Sequence, residues 1–203
     1  MRRPPTALIL AGPNGAGKTT VSSVFVEPDV EFVNADIIGA DLRKQDPDRP
    51  GADVTAGRIV SARLRSLATD RQNFCFETNL ASPGLVGRID GWKATGYETR
   101  LIFVSLPNVD IALARVAARV AAGGHDVPEA TVRRRFTSGL RNFFGVYRTR
   151  VDVWTLYDNS TEAAVLVAGG RGSDELIHDR QRWELLRAVG GARRPGSGGR
   201  MSP

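Results

Sequence analysis

The amino-acid sequence predicts an α/β protein in which helices flank a central parallel sheet of about five strands. Apolar runs of strand length alternate along the chain with longer segments of helical periodicity. A glycine-rich turn, GPNGAGKT, separates the first apolar run from the first helical segment. The 203 residues, 41% of them hydrophobic, suffice to build one buried core. We therefore expect a single domain over residues 1–189.

The strands and helices are predicted in order from these patterns. The candidate strands are ALILAG (7–12), VEFVNA (30–35), NFCFET (73–78), TRLIFVSL (99–106) and VWTLYDN (153–159). A further run, AAVLVAGG (163–170), predicts a short late strand at a sheet edge. Helices are predicted to begin near Lys18, Asp53, Pro83, Asn108 and Pro128, with a last one over residues 178–189. Gly, Pro, Ser and Arg dominate residues 190–203, which we expect to be a disordered tail.

Composition excludes several classes of protein. No apolar run approaches the roughly 18 residues of a membrane span, and MRRPPTALIL passes too soon into the glycine turn to be a signal peptide. We therefore expect a cytoplasmic protein without a membrane partner. Cys75, the single cysteine, excludes an internal disulfide, and its apolar surroundings predict a buried small side chain.

The formal charge of +6 raises the question of a nucleic-acid partner. Of the 28 basic residues 25 are arginines, and Arg193, Arg194 and Arg200 lie in the predicted tail. No basic stripe alternates with aromatic residues on one element, so nucleic-acid binding is the disfavoured alternative.

The glycine-rich turn fits the pattern G-x-x-x-x-G-K-[ST] in its required context between a strand and a helix. The glycines allow backbone N–H groups to point at a phosphate, and the helix after Gly17 directs its positive end at the same anion. Lys18 is expected to bridge the β and γ phosphates of ATP, and the Thr19 hydroxyl to bind Mg²⁺. The predicted nucleotide-binding residues are Gly12, Pro13, Asn14, Gly15, Ala16, Gly17, Lys18, Thr19 and Thr20.

Two acidic residues follow predicted strands at the sheet edge where ligands bind in open parallel sheets. Asp36 follows EFVNA and is predicted to act as the general base that accepts the proton of an acceptor hydroxyl; the alternative is a helix N-cap. Glu77 and Thr78 close FCFET and are predicted to contact the acceptor. Two other roles are open for Glu77. It could hold a water molecule that binds Mg²⁺, or it could be a salt-bridged residue at the end of the strand.

Residues 115–136 predict a helical lid. Arg115 and Arg119 share one face of a first helix, which ends at Gly123-Gly124. A second helix opens with Asp126 and Glu129 in capping-box spacing, has Pro128 in its first turn and carries three consecutive arginines. We expect Arg119 and either Arg133 or Arg134 to reach the transferring phosphoryl group, the alternative being solvated helix faces. His125 is expected to be incidental.

The stretch LYDNS ends the fifth predicted strand with Asp158 and Asn159. Asn159 has two interpretations, a contact with adenine or an Asx turn that ends the strand.

The order of these motifs resembles that of the bacterial zeta-toxin-like P-loop kinases. The resemblance covers roughly residues 6–169 and rests on GPNGAGKTT, FVNADIIGADL, AGRIV, FCFETNLAS, GYETRLIFVSLPN, ARVAARVAAGGHDVPEATVRRRF and LYDNS. It implies a kinase that moves the ATP γ-phosphate to the 3′-hydroxyl of the amino sugar of UDP-N-acetylglucosamine, and a small antitoxin that blocks the ATP site. By motif position it assigns ATP and Mg²⁺ to Lys18 and Thr19, the general base to Asp36 and acceptor contact to Glu77. It assigns the phosphates to the lid arginines.

Three alternatives remain at this point. In the first, the protein is a kinase whose acceptor is another metabolite, a nucleoside or an antibiotic. In the second, it is an ATP-dependent binding switch without an acceptor. In the third alternative the basic charge serves nucleic-acid binding, with phosphorylation of polynucleotide ends.

Overall fold

A computed structural model describes residues 3–46 and 50–191. Most of the predicted disordered tail, residues 192–203, lies outside this range. Within it the strands are β1 (Thr6–Ala11), β2 (Glu31–Val33), β3 (Phe74–Thr78), β4 (Glu98–Ser105), β5 (Val153–Asp158), β6 (Val165–Arg171) and β7 (Asp174–Ile177). The helices are α1 (Lys18–Phe25), α2 (Ala35–Gln45), α3 (Ala52–Thr69), α4 (Val86–Ala94), α5 (Val109–Ala121), α6 (Glu129–Gly145) and α7 (Arg180–Val189), with a short 3₁₀ helix at Tyr147–Thr149.

The strands form one mixed sheet in the order β2-β3-β1-β4-β5-β6-β7. The first five strands in this order are parallel, which confirms the predicted parallel core of the sheet. Strand β6 pairs antiparallel with β5, and β7 pairs antiparallel with β6. With these two the described sheet has seven strands, where the sequence predicted about five. The predicted late strand, β6, is not at the edge, because β7 follows it through a tight turn and covers its free side.

Strand β1 is the middle one of the five parallel strands and carries the phosphate loop at its carboxyl end. Ala7 pairs with Phe74 of β3, and Thr6 pairs with Glu98 of β4. Both neighbours come much later in the chain because each parallel pairing requires a helical crossover. The edge at which β1, β3 and β4 end is therefore built from segments distant in sequence, which is where ligands bind in such sheets.

The core is apolar and rich in aromatic side chains on the face covered by α6 and α7. Phe143 of α6 is fully buried and contacts the rings of Phe103 and Trp154. Trp154 stacks on Trp183 of α7 at 5.9 Å between ring centroids. The contacts of Phe143 attach the carboxyl end of α6 to the sheet, and a bond from Arg135 to Asn14 places its amino half beside the phosphate loop.

Cys75 is fully buried in β3, as its apolar surroundings predicted. Burial raises the pKa of its thiol to about 12. In the described part of the chain, no helix combines the length and apolar character that a membrane span requires.

Candidate active site

The phosphate loop folds as its sequence predicts. Gly12 has a φ of 144°, and a Cβ there would lie 2.1 Å from the carbonyl oxygen of Val104. Gly17, with a φ of 80°, immediately precedes α1 as its N-cap. The first N–H groups of α1 have no partner within the helix, so the loop and helix together present donors to an anion.

Lys18 is buried and held by the loop itself. Its Nζ donates to the carbonyl oxygens of Gly12 at 2.8 Å and Pro13 at 3.0 Å, and to Asn79 Oδ1 at 3.4 Å. It also pairs with Glu77 Oε1 at 3.3 Å. Burial lowers the pKa of Lys18, and the negative charge of Glu77 partly offsets this effect.

Glu77 is the centre of a small polar network at the carboxyl end of β3. Besides the ion pair with Lys18, its Oε2 accepts from Asn34 Nδ2 at 2.9 Å and from Thr19 Oγ1 at 3.4 Å. The carboxylate therefore lies beside the hydroxyl expected to bind Mg²⁺, and paired oxygens of this kind suit that hard cation. The salt bridge named as one alternative for Glu77 is therefore present, and the bonds from Asn34 and Thr19 extend it.

Asp36 is the second residue of α2, and its backbone N–H is capped by Asn34. The side chain of Asn34 accepts from the N–H groups of Asp36 at 2.7 Å and Ile37 at 3.3 Å. The alternative that Asp36 is itself the N-cap is therefore wrong. Its carboxylate is exposed at the wall of the clefts described next.

Two clefts meet at the carboxyl edge of the sheet. The first, of about 620 Å³, contains the phosphate loop and is bordered by residues 159–162 after β5. The second, of about 430 Å³, lies between α2 and the amino end of α6. The two clefts share Asn34, Asp36 and Glu77. A smaller groove of about 250 Å³ between α3 and α4 also reaches Glu77 and Thr78. Another groove, of about 270 Å³ along the sheet face, contains none of the predicted site residues.

The clefts bring together most of the predicted site. Thr78 lines the second cleft, and its hydroxyl accepts from the N–H of Leu80. Arg119 lines the first cleft, where its Nη2 donates to the carbonyl oxygen of His125 at 2.8 Å. Arg134 lines the second cleft.

Arg133 does not line either cleft. It pairs with Glu129 at 2.7 Å and with Asp110 at 3.7 Å on an exposed face. The predicted capping box is not formed, since α6 begins at Glu129 with Pro128 as N-cap and no side-chain cap. Glu129 is thus the first helical residue rather than the third, and its carboxylate bonds Arg133 instead.

Sequence reasoning missed Arg135 as a site residue. Its Nη1 donates to Asn14 Oδ1 in the phosphate loop at 3.2 Å, and its side chain also lines the second cleft. Its positive charge contributes to the lowered pKa of Lys18. Arg135 therefore connects the second cleft to the loop in a way that Arg133 does not.

The fold and the geometry of the loop define the class of this molecule, a P-loop protein. The sequence model of the AAA domain family matches residues 8–138. The chain belongs to this family. It is also 29% identical over 130 residues to an uncharacterized protein of Haemophilus influenzae, an alignment that covers 64% of this chain and 91% of that protein.

Solved structures share the fold at low sequence identity. A complex of AvrRxo1-ORF1 and -ORF2 with ATP matches with a TM-score of 0.72 and 16% identity over 97% of this chain. This chain spans 66% of the length of that one. The PezAT toxin–antitoxin system of Streptococcus pneumoniae matches with a TM-score of 0.65 and 15% identity, covering 96% of this chain and 81% of that one. The predicted resemblance to zeta-toxin-like P-loop kinases is thereby confirmed for the fold.

Proposed function

We propose that this protein is an ATP-dependent kinase that transfers the γ-phosphate to a hydroxyl of a small polar acceptor. The observation that carries the proposal is the wall shared by the two clefts. A nucleotide on the phosphate loop and an acceptor in the second cleft would meet at Asp36 and Glu77. The ATP in the AvrRxo1 structure supports the choice of nucleotide.

Each residue has a distinct part in the proposed reaction. Asp36 accepts the proton of the acceptor hydroxyl. At the same time the hydroxyl oxygen bonds to the γ-phosphorus, and the bond between the γ-phosphorus and the bridging oxygen breaks, so that this oxygen leaves with ADP. Arg119, Arg134 and Arg135 stabilise the charge on the transferring group. Lys18 leaves its contacts with Glu77 and binds the β and γ phosphates.

A magnesium ion fits the oxygen groups at this position. The Thr19 hydroxyl would hold it directly, and the Glu77 carboxylate, whose Oε2 lies 3.4 Å from that hydroxyl, would hold it through water. When bound, Mg²⁺ neutralises charge on the β and γ phosphates.

The acceptor proposed first is a nucleotide sugar, UDP-N-acetylglucosamine, because the sequence resemblance implies it. The polar second cleft, with Arg134 and Arg135 on one side, supports an acceptor that carries phosphate. We also propose a small protein antitoxin as a partner, since the PezAT system pairs a toxin with an antitoxin. A cytoplasmic location is part of the same proposal.

The test is phosphorus NMR of the protein with Mg-ATP and UDP-N-acetylglucosamine. A new sugar-phosphate resonance is expected, and Lys18→Ala should abolish it. Asp36→Asn should lower turnover roughly 10²–10⁴-fold while ATP affinity changes little. Asp41→Asn, which removes an exposed carboxylate of the same helix, is the matched control and should leave turnover unchanged.

The outcomes separate the alternatives. ADP formation without the resonance would support ATP turnover but refute UDP-N-acetylglucosamine as the acceptor. Other metabolites, nucleosides and antibiotics would then be screened. ATP affinity without any phosphoryl transfer, and normal function in Asp36→Asn, would favour a binding switch. Salt-sensitive DNA or RNA binding that survives Lys18→Ala would favour the nucleic-acid alternative.

A further inference from the structure

We propose that Asn159 is a positioning residue that orients the peptide unit between Ala16 and Gly17 in the phosphate loop. The proposal rests on the nucleotide site described above but concerns how that site is held. Asn159 belongs to the segment after β5, and its Nδ2 donates to the carbonyl oxygen of Ala16 at 2.8 Å. The bond joins residues 143 positions apart in the chain.

The bond controls the direction of a phosphate donor. In a trans peptide unit the C=O and the following N–H point in opposite directions, and the described residues contain no cis peptide. When Asn159 holds the oxygen of Ala16 outward, the N–H of Gly17 is directed to the other side, toward the cradle. Ala16 is fully buried, and its own N–H donates to the Pro13 carbonyl at 3.2 Å.

Gly17 fits this arrangement closely. Its φ of 80° lies in the left-handed region, and a Cβ there would come within 2.5 Å of Asn159 Nδ2. Asn159 therefore packs directly against the backbone that it orients. A larger residue at either position would separate the two segments.

Asn159 is held by a backbone bond of its own, and the residue before it is held by two further contacts. Its backbone N–H donates to the Ser105 carbonyl at the end of β4, at 2.9 Å. The preceding Asp158 is buried, accepts from the N–H of Ser160 at 2.8 Å and pairs with Arg182 of α7 at 3.3 Å. The Asx turn at the end of β5 is therefore formed by Asp158 and not by Asn159. The amide of Asn159 is left to bind the phosphate loop.

This role and a contact with adenine differ in which ligands bind more weakly when Asn159 is replaced. A positioning residue of the cradle affects every polyphosphate, whether or not a base is attached. A base contact affects ATP and its preference over GTP, but does not affect a ligand that has no base. Inorganic tripolyphosphate is therefore the probe that separates the two roles.

The experiment measures the affinity of the full chain for Mg-ATP, Mg-GTP and Mg-tripolyphosphate by calorimetry. Asn159→Ala should weaken ATP and tripolyphosphate alike, by roughly tenfold for one lost hydrogen bond. The isosteric Asn159→Asp should weaken both further, because a carboxylate cannot donate to the Ala16 carbonyl and repels phosphate. The ratio of ATP to GTP affinity should stay at its wild-type value in both variants.

Asn73→Ala is the matched control, since Asn73 Oδ1 binds the backbone N–H of Thr6 at the opposite end of β1. It should leave all three affinities unchanged, and thermal melting of each variant checks its folding. Weaker ATP binding with normal tripolyphosphate binding would overturn the proposal in favour of a base contact. Normal binding of both ligands in the Asn159 variants would overturn it outright. A wild-type protein that binds neither ligand would instead refute the nucleotide site itself.

Discussion

Replacing Glu77 with Gln removes a negative charge from the most buried ionic contact of the site. Lys18 is 6% exposed, and the side chain of Glu77 is 11% exposed. At 3.3 Å and an effective dielectric constant of about 20, their attraction amounts to about 5 kcal/mol before the cost of burying both groups. Removal of one partner of a buried pair typically costs 3–5 kcal/mol, since the other charge is left uncompensated.

We expect the lower end of that range in the free protein. Lys18 keeps the carbonyl oxygens of Gly12 and Pro13 as acceptors after Glu77→Gln, so the free energy of unfolding should fall by about 3 kcal/mol. At 2–4 °C per kcal/mol for a chain of this size, the melting temperature should fall by about 6–12 °C. Urea denaturation and thermal melting at pH 7, both without nucleotide, measure the two quantities.

The pH dependence gives the same prediction a second readout. Burial already lowers the pKa of Lys18, and loss of Glu77 should lower it further. A lysine whose folded pKa lies below its unfolded value costs stability when charged, and that cost disappears as the pH rises from the folded value to the unfolded one. The deficit of Glu77→Gln should therefore shrink at alkaline pH, beginning below pH 10.5.

The control is Asp41→Asn, which breaks an exposed pair with Lys44 on α2. Pairs of this kind contribute about 0.2–0.5 kcal/mol on a helix surface. If Glu77→Gln cost no more than the control, the burial and pairing of Lys18 would not have the energetic role assigned to them.

Three further predictions concern the loop, the thiol and the sheet. Gly12→Ala places a Cβ 2.1 Å from the Val104 carbonyl at a φ of 144°, so nucleotide affinity and melting temperature should both fall; wild-type values in calorimetry and melting would contradict this. Burial raises the pKa of Cys75 to about 12, so an aromatic disulfide reagent at pH 8 should react only after urea unfolds the protein, and rapid native reaction would disprove the burial. Burial acts to raise the pKa of Asp152, but hydrogen bonds from Thr99 and Lys93 outweigh the effect of burial and lower this pKa below 3.8. Asp152→Ala should therefore cost about 1–3 kcal/mol at neutral pH, with a deficit that shrinks below pH 3.8; an equal deficit in urea denaturation at pH 7 and pH 3 would be inconsistent with this.

The phosphate loop could be predicted because its signals are local. A strand, a glycine turn and a helix follow one another within residues 6–25, and the residue types required by the turn are all present. Asp36 and Glu77 could be predicted because parallel strands end at one edge of the sheet. The sequence also contains the signal for Asn34 as the N-cap of α2, since an Asn between a strand and a helix is a typical N-cap.

Contacts between distant segments could not be predicted in the same way. Arg133 and Arg135 flank the buried stripe of α6 on opposite sides, and the sequence pattern does not say which side faces the phosphate loop. Asn14 and Arg135 are 121 positions apart. Strand β7 was missed because it has four residues, two of them acidic, which gives too little alternation for a prediction.

The pairing of β1 with strands made much later also bears on the order in which the site forms during synthesis. The ribosome makes the phosphate loop among the first residues, but β3, β4, Arg135 and Asn159 all follow it. At 5–20 residues per second, Asn159 emerges roughly 7–30 s after Gly17. A nascent chain cannot complete its nucleotide site during this interval. If the protein is the proposed kinase and its acceptor is an essential metabolite, phosphorylation of that metabolite begins only when translation of the sheet is almost finished.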